Sequence, residues 1–127
     1  MKNFKIGLQM YSVRNYLAKD FEGTVRAVAE AGYEYAEFAG YYGGLGGTEM
    51  KELLDKYGMK SISVHAGQEL YSDCVKAFDF YKSFGVRYVI LPWYDRNRMP
   101  GSEYWPETKK SFSELAEKAR ENGMSLL

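Results

Sequence analysis

Gln9, Glu37, His65 and Trp93 are the side chains of this sequence best equipped for chemistry, and each stands 28 residues beyond the one before. An amide both donates and accepts hydrogen bonds, a carboxylate accepts them or moves a proton, and an imidazole moves protons near neutral pH or binds a metal. An indole offers an apolar face on which a ring can stack. Each of the four closes a short apolar run that reads as a β-strand, and the segments between carry apolar residues at helical spacing. A β-α repeat builds parallel sheets, and parallel sheets place ligands at the carboxyl ends of their strands. The four residues therefore mark the first place to look for a site.

The elements that must position them follow from period and punctuation. Strand one spans 5–10, with Ile6, Leu8 and Met10 alternating against Gly7 and Gln9. Helix one spans 20–31, capped by Asp20, with Phe21, Val25, Val28 and Ala29 as its buried stripe. Strand two, 35–38, turns Ala36 and Phe38 one way and Tyr35 and Glu37 the other. The stretch 40–47 is glycine-rich and reads as a loop, either a mobile rim over a pocket or a long turn. It lacks the Lys-Ser/Thr pair of a phosphate loop and the three-glycine spacing of a dinucleotide fold. Thr48 caps helix two, whose stripe is Met50, Leu53, Leu54 and Tyr57. Strand three is 60–65, with Ile62 and Val64 set against Ser61, Ser63 and His65. Helix three starts near Ser72 or Asp73 and buries Cys74, Ala77, Phe78 and Tyr81; strand four, 87–93, is a near-continuous apolar run of the doubly buried kind. Helix four covers 103–121, regular from Pro106, with Phe112, Leu115, Ala116 and Ala119 facing in; a fifth strand begins at Met124. Gly32, Gly58, Gly85 and Gly123 end the four helices.

Short crossovers suit either a closed barrel or an open doubly wound sheet. Small or polar residues at inward positions, Gly7, Gln9, Ser61 and Ser63, favour the barrel, whose mouth accepts them. The fold predicted is α/β: a parallel (βα)4 half of a TIM (β/α)8 barrel, ending in the start of a fifth strand, with residues 1–127 as a single domain.

The totals limit the partners. Seventeen Lys and Arg balance seventeen Asp and Glu, which argues against nucleic acid and membrane surfaces as partners. Cys74, the sole cysteine, has no intrachain disulfide partner, and no apolar stretch is long enough for a signal peptide or a membrane span; a cytoplasmic address is the expectation. Aromatic residues make up 17% of the chain, led by 12 tyrosines, and Tyr11, Tyr41, Tyr42 and Tyr94 flank the strand ends. Tyrosines there either line a sugar pocket or serve as ordinary strand and interface residues. The serines lack a second histidine-acid arrangement that would make one a nucleophile.

Four stretches, GLQMYSVR (7–14), GYEYAEFAGYYG (32–43), SVH (63–65) and PW (92–93), resemble the sugar phosphate isomerase/epimerase family of xylose isomerase-like barrels. The first two are the more specific. The resemblance implies isomerisation or epimerisation of a small sugar, keto-sugar or sugar phosphate. It also implies a divalent metal (Mn, Mg, Zn or Co), held in the full-length family by two Glu, an Asp and a His from strands five to eight. Those strands lie outside this sequence, so no metal ligand and no cofactor is expected in this chain alone. The remaining residues form the substrate-facing part of the mouth: Gln9, Tyr11, Glu37, His65 and Trp93 as substrate contacts, with Glu37 and His65 as the catalytic candidates. In the endonuclease IV relatives a histidine at the place of His65 resembles a zinc ligand.

Each residue keeps a plainer alternative. His65 is otherwise an ordinary hydrogen-bonded histidine. Glu37 either holds His65 in one tautomer or forms a structural ion pair, for instance with Arg14. Gln9 could fill the barrel floor, and Trp93 the core. A half-barrel also leaves two open sheet edges. Two copies could meet as a homodimer and close an eight-stranded barrel, or the piece needs its missing half. The alternative function is thus a non-catalytic scaffold or sugar-binding module that self-associates.

Overall fold

The computed structural model describes residues 4–92 and 95–127. Among the described residues, five strands are separated by one or two α-helices each: β1 (Gly7–Gln9), α1 (Arg14–Leu17), α2 (Phe21–Glu30), β2 (Tyr35–Ala39), α3 (Gly47–Lys56), β3 (Lys60–His65), α4 (Gln68–Ser72), α5 (Cys74–Ser83), β4 (Tyr88–Ile90), α6 (Trp105–Glu121) and β5 (Ser125–Leu126). The sheet order is β1-β2-β3-β4-β5, and every pairing is parallel. A doubly wound sheet reverses its strand order at a switch point. This sheet never reverses, so right-handed crossovers stack the helices on one side, as in a barrel wall. The core lies between the sheet and those helices: Ala36, Phe38, Val64 and Val89 meet Val25, Met50, Leu54, Phe78 and Tyr81.

Helix ends follow local chemistry. Asp20 accepts the Gly23 N–H at 2.9 Å and starts α2. Asp73 accepts the Lys76 N–H at 3.1 Å and starts α5. The terminating glycines Gly32, Gly58, Gly85 and Gly123 all have positive φ, where a Cβ would be strained.

The structure corrects several expectations. The N-cap of α3 is Gly46 rather than Thr48, and Glu49 reaches back to accept the Gly46 N–H at 2.6 Å. The stretch after β1 is not a plain loop: a 3₁₀ turn at Met10–Val13 leads into α1 and buries Met10 and Leu17. A further short helix, α4, precedes α5. β4 covers only Tyr88–Ile90, and Tyr88 is 42% exposed, so this strand is not buried on both faces. The cause is general to the sheet: the inner face has no opposite wall. Ser61 and Ser63 do not share a face. β3 carries one extra residue against β2, Ser61 is buried with its hydroxyl on the Ser63 carbonyl (3.2 Å), and Ile62 is 40% exposed. On α6, Ala119 is buried while Ala116 is exposed.

The glycine-rich loop is held rather than loose. Tyr42 packs its ring at 4.9 Å from Phe80 and 6.1 Å from Phe38 and Phe84, and Phe21 stacks on Phe38 at 5.8 Å. Such aromatic pairs add to the area they bury.

Candidate functional site

The carboxyl ends of β1, β2 and β3 bring three of the sequence candidates together. In register, Gln9 lies opposite Glu37, and Glu37 opposite Ser63. The equal sequence spacing therefore matches the lateral register at its first step only. His65 pairs with Ala39, two residues further towards the mouth. Alternation still turns Glu37, Ser63 and His65 to the inner face, because Phe38 and Val64 between them are fully buried against the helices.

Glu37 is the hub. Its Oε1 accepts from Gln9 Nε2 at 3.0 Å and lies 3.2 Å from His65 Nε2. Its Oε2 accepts the Ser63 hydroxyl at 2.5 Å. Glu37 and His65 side chains are 22% and 25% exposed, so a carboxylate there needs these donors in place of bulk water. Gln9 Nε2 also sits 3.3 and 3.4 Å from the two nitrogens of His65. Of the alternatives open for Glu37, the structure therefore places it on His65. Arg14 instead lies 4.4 Å over the Tyr11 ring and donates to the Tyr11 carbonyl at 3.0 Å.

Beside this cluster lies a depression of about 290 Å³, bordered by Gln9, Tyr11, His65, Gly40, Gly67 and Pro92. Gln9, Tyr11 and His65 thus line one concavity. Glu37 stands behind them and faces a second inner-face hollow with Gly7, Tyr35, Ile62 and Ser63. Trp93 and Tyr94 lie outside the described residues. Tyr42 turns away from the mouth into the aromatic cluster. Ser63, which sequence reading placed inward without a role, is the residue that completes the Glu37 hydrogen bonds.

A second polar cluster shapes the rim and was not anticipated. Glu69 Oε1 accepts from Tyr81 at 2.7 Å, from Tyr42 at 3.2 Å and from the Gly67 N–H at 3.1 Å. It ties the β2–α3 loop to the β3–α4 turn. Burial first, then the Glu69 carboxylate, pushes the Tyr42 phenol far above its ordinary value; burial, then Tyr42 and Glu69, does the same to Tyr81. Gly40 and Gly67 meet backbone to backbone at this rim: a Cβ on Gly67 would sit 3.0 Å from the Gly40 Cα. The glycine after each strand was the one local sign that this contact could form.

Among the described residues, no three His, Cys, Asp or Glu side chains gather as a metal centre requires. Glu37 and His65, 3.2 Å apart, supply two donors, too few by themselves for a divalent cation.

No protein-family model matches the sequence, and comparison with curated proteins gives no match. Solved structures match in three dimensions. A sugar phosphate isomerase/epimerase from Parabacteroides distasonis aligns with a TM-score of 0.78 and 21% identity, over 99% of this chain and 51% of that one. The fold is half of a TIM barrel. An AP endonuclease, family 2, from Brucella melitensis aligns at 0.66 with 16% identity, over 84% of this chain and 48% of its own. A D-psicose 3-epimerase from Clostridium cellulolyticum, solved with D-tagatose, aligns at 0.62 with 15% identity, over 97% of this half-barrel and 51% of the epimerase. The half-barrel thus spans about half the length of the structures it matches, which agrees with the architecture predicted from the sequence. Among the described residues, no helix is long and apolar enough to cross a membrane.

Proposed function

We propose that this half-barrel supplies the substrate-facing part of the mouth of a sugar isomerase or epimerase barrel, acting on a small sugar, keto-sugar or sugar phosphate. The observation that carries the reading is the convergence of Gln9, Glu37 and His65, from three consecutive strands, within 3.0–3.4 Å of one another beside the depression. Three polar side chains at that spacing suit adjacent hydroxyls of a sugar. In this reading Gln9 and His65 hold hydroxyls, Glu37 orients both, and Tyr11 supplies an apolar wall. Of the bordering residues, His65 is the group able to take a proton from a bound hydroxyl, with the Glu37 carboxylate behind it to offset the charge. The fold shared with a sugar phosphate isomerase/epimerase and with an epimerase solved with D-tagatose supports that substrate class. The divalent metal implied by the sequence resemblance would need donors beyond Glu37 and His65, so the isolated chain is proposed to be weakly active or inactive.

The test is an NMR titration of the labelled chain with D-tagatose. The expected result is a set of shifts confined to Gln9, Tyr11, Gly40, His65 and Gly67, lost in Gln9→Ala and His65→Ala. Shifts elsewhere, or none at saturating sugar, refute the reading.

A second reading rests on the open sheet. On the inner face Tyr88 is 42% exposed and Ile62 40%, and both β1 and β5 are edges. We infer that a partner covers this face, either a second copy or a complementary half-barrel. Two five-stranded copies exceed the eight strands of a closed barrel. A homodimer must therefore release the two-residue β5 from β4 to admit the β1 of the other copy. Light scattering after size exclusion checks this: a dimer that persists on dilution, with lost protection of the β5 amides, supports the homodimer, and a monomer at all concentrations excludes it.

A further inference from the structure

We infer that Ser63 is a positioning residue: through Glu37 it fixes the neutral His65 ring with its proton on Nε2, so that the Nδ1 lone pair is the atom offered to a ligand.

Two observations lead to this assignment. A carboxylate can only accept, so the His65 nitrogen 3.2 Å from Glu37 Oε1 bonds it only when it carries the proton; that nitrogen is Nε2. The Gln9 amide has one possible orientation, because its oxygen in place of Nε2 would face the Glu37 oxygen at 3.0 Å with no proton between them. The same Gln9 nitrogen lies 3.3 and 3.4 Å from the two ring nitrogens; being nearly equidistant it sits over the ring face, off both in-plane lone pairs, and so leaves Nδ1 open. The opposite tautomer leaves Nε2 and Glu37 Oε1 as two acceptors in contact.

Ser63 holds the arrangement in place. Its hydroxyl gives Glu37 Oε2 a donor at 2.5 Å, which leaves Oε1 to face Gln9 and His65. The hydroxyl stands there because the extra residue in β3 sets Ser63 opposite Glu37. Neither Ser63 nor Glu37 is among the residues bordering the depression, so Ser63 acts through Glu37 and His65.

The tautomer also selects the ligand, a step that rests on the sugar-binding reading. Gln9 does not occupy the in-plane lone pair of Nδ1, so a ligand hydroxyl can donate to it. No Lys or Arg is among the described residues bordering the depression, and the Gly67 N–H is already taken by Glu69 at 3.1 Å. A phosphate would find no cation among these bordering side chains, and the Glu37 carboxylate behind them would oppose it. The site therefore takes the hydroxyls of a neutral polyol or keto-sugar in preference to its phosphate ester.

His65 is the sole histidine, so ¹⁵N labelling of histidine in the full chain reads this ring alone. Under conditions where the ring is neutral, Nε2 is expected at a pyrrole-type shift and Nδ1 at a pyridine-type shift. Ser63→Ala moves both towards their average, and Ser63→Thr, which keeps a hydroxyl, restores the separation; the backbone spectrum of the same sample reports whether each variant is folded. A proton on Nδ1 in the unmodified chain, or a Ser63→Ala spectrum identical to it, overturns the assignment. On adding ligand, D-tagatose is expected to shift Nδ1 and to bind about tenfold more tightly than its 6-phosphate, roughly the effect of one well-made polar contact. Tighter binding of the phosphate overturns the ligand preference. If neither ligand shifts the ring while its tautomer is as stated, the sugar-binding reading fails and the positioning by Ser63 stands.

Discussion

Replacing Glu69 with alanine removes one acceptor from three donors. Tyr81 is fully buried, and its hydroxyl donates to Glu69 at 2.7 Å. Left unpaired, a buried hydroxyl costs about 1–3 kcal/mol. Tyr42 is half-buried and its bond is longer, 3.2 Å, so water can replace part of the loss; about 0.5–1 kcal/mol is reasonable for it. The Gly67 N–H sits at the accessible rim and adds little. The sum is about 1.5–4 kcal/mol, a large share of the ~5–15 kcal/mol that stabilises an ordinary domain. Urea unfolding followed by circular dichroism at neutral pH measures it. The decisive variant is the double one. Tyr81→Phe alone removes the hydroxyl, so in Glu69→Ala/Tyr81→Phe no buried donor is stranded at that position. The two changes should then fall short of additivity by about 1 kcal/mol or more. Strict additivity, or a Glu69→Ala cost under about 0.5 kcal/mol, would show that the cluster does not hold the loops together.

The same tyrosines make stability fall in alkali. Their folded phenols titrate far above the ordinary value of 10.0, so the unfolded chain loses these protons first. Their contribution is complete below about pH 10 and is lost as pH rises further, by at most ~1.4 kcal/mol per pH unit for each tyrosine. Lys5 and Lys56, raised by the hydrogen bonds they donate to Glu34 and Glu22, act in the same direction, so the comparison is with Tyr42→Phe/Tyr81→Phe, whose urea midpoints should decline less steeply. An equal decline would refute the burial argument. Gly67→Ala places a Cβ 2.6 Å from Glu69 Oε2 and 3.0 Å from the Gly40 Cα; prising the rim apart should cost about 1–3 kcal/mol and shift the Gly40 amide resonance, and an unchanged Gly40 signal would contradict it. Phe38→Ala empties the fully buried centre of β2, where Phe21 and Tyr42 stack, and should cost about 3–5 kcal/mol in thermal or urea unfolding; a loss under about 1 kcal/mol would mean the two neighbours close the gap.

Much of the fold was legible because it is built from local rules. The stripes Val25/Val28, Met50/Leu53/Leu54 and Ala77/Phe78/Tyr81 face the core as their spacing predicts. Ala36 and Phe38 are buried and Tyr35 and Glu37 are not, as a period of two requires. The misreadings share a cause. A period-two reading of β3 assumes no extra residue, and the bulge between Ser61 and Ser63 breaks it. The apolar run from 87 to 93 signals a strand buried on both faces, yet here the sheet is covered on one. Thr48 is the better cap by residue type, but Glu49 can serve the Gly46 N–H by reaching back.

Sequence alone determined which residues could do chemistry at the strand tips, and that β-α units recur; both depend on side-chain type and short-range period. It could not decide that Gln9 reaches across β2 to His65, that Ser63 rather than Arg14 serves Glu37, or that Glu69 gathers Tyr42 and Tyr81. Those contacts join residues 12–56 positions apart. They exist only once the helices pack on one side and set the lateral register of the strands, which no single segment encodes.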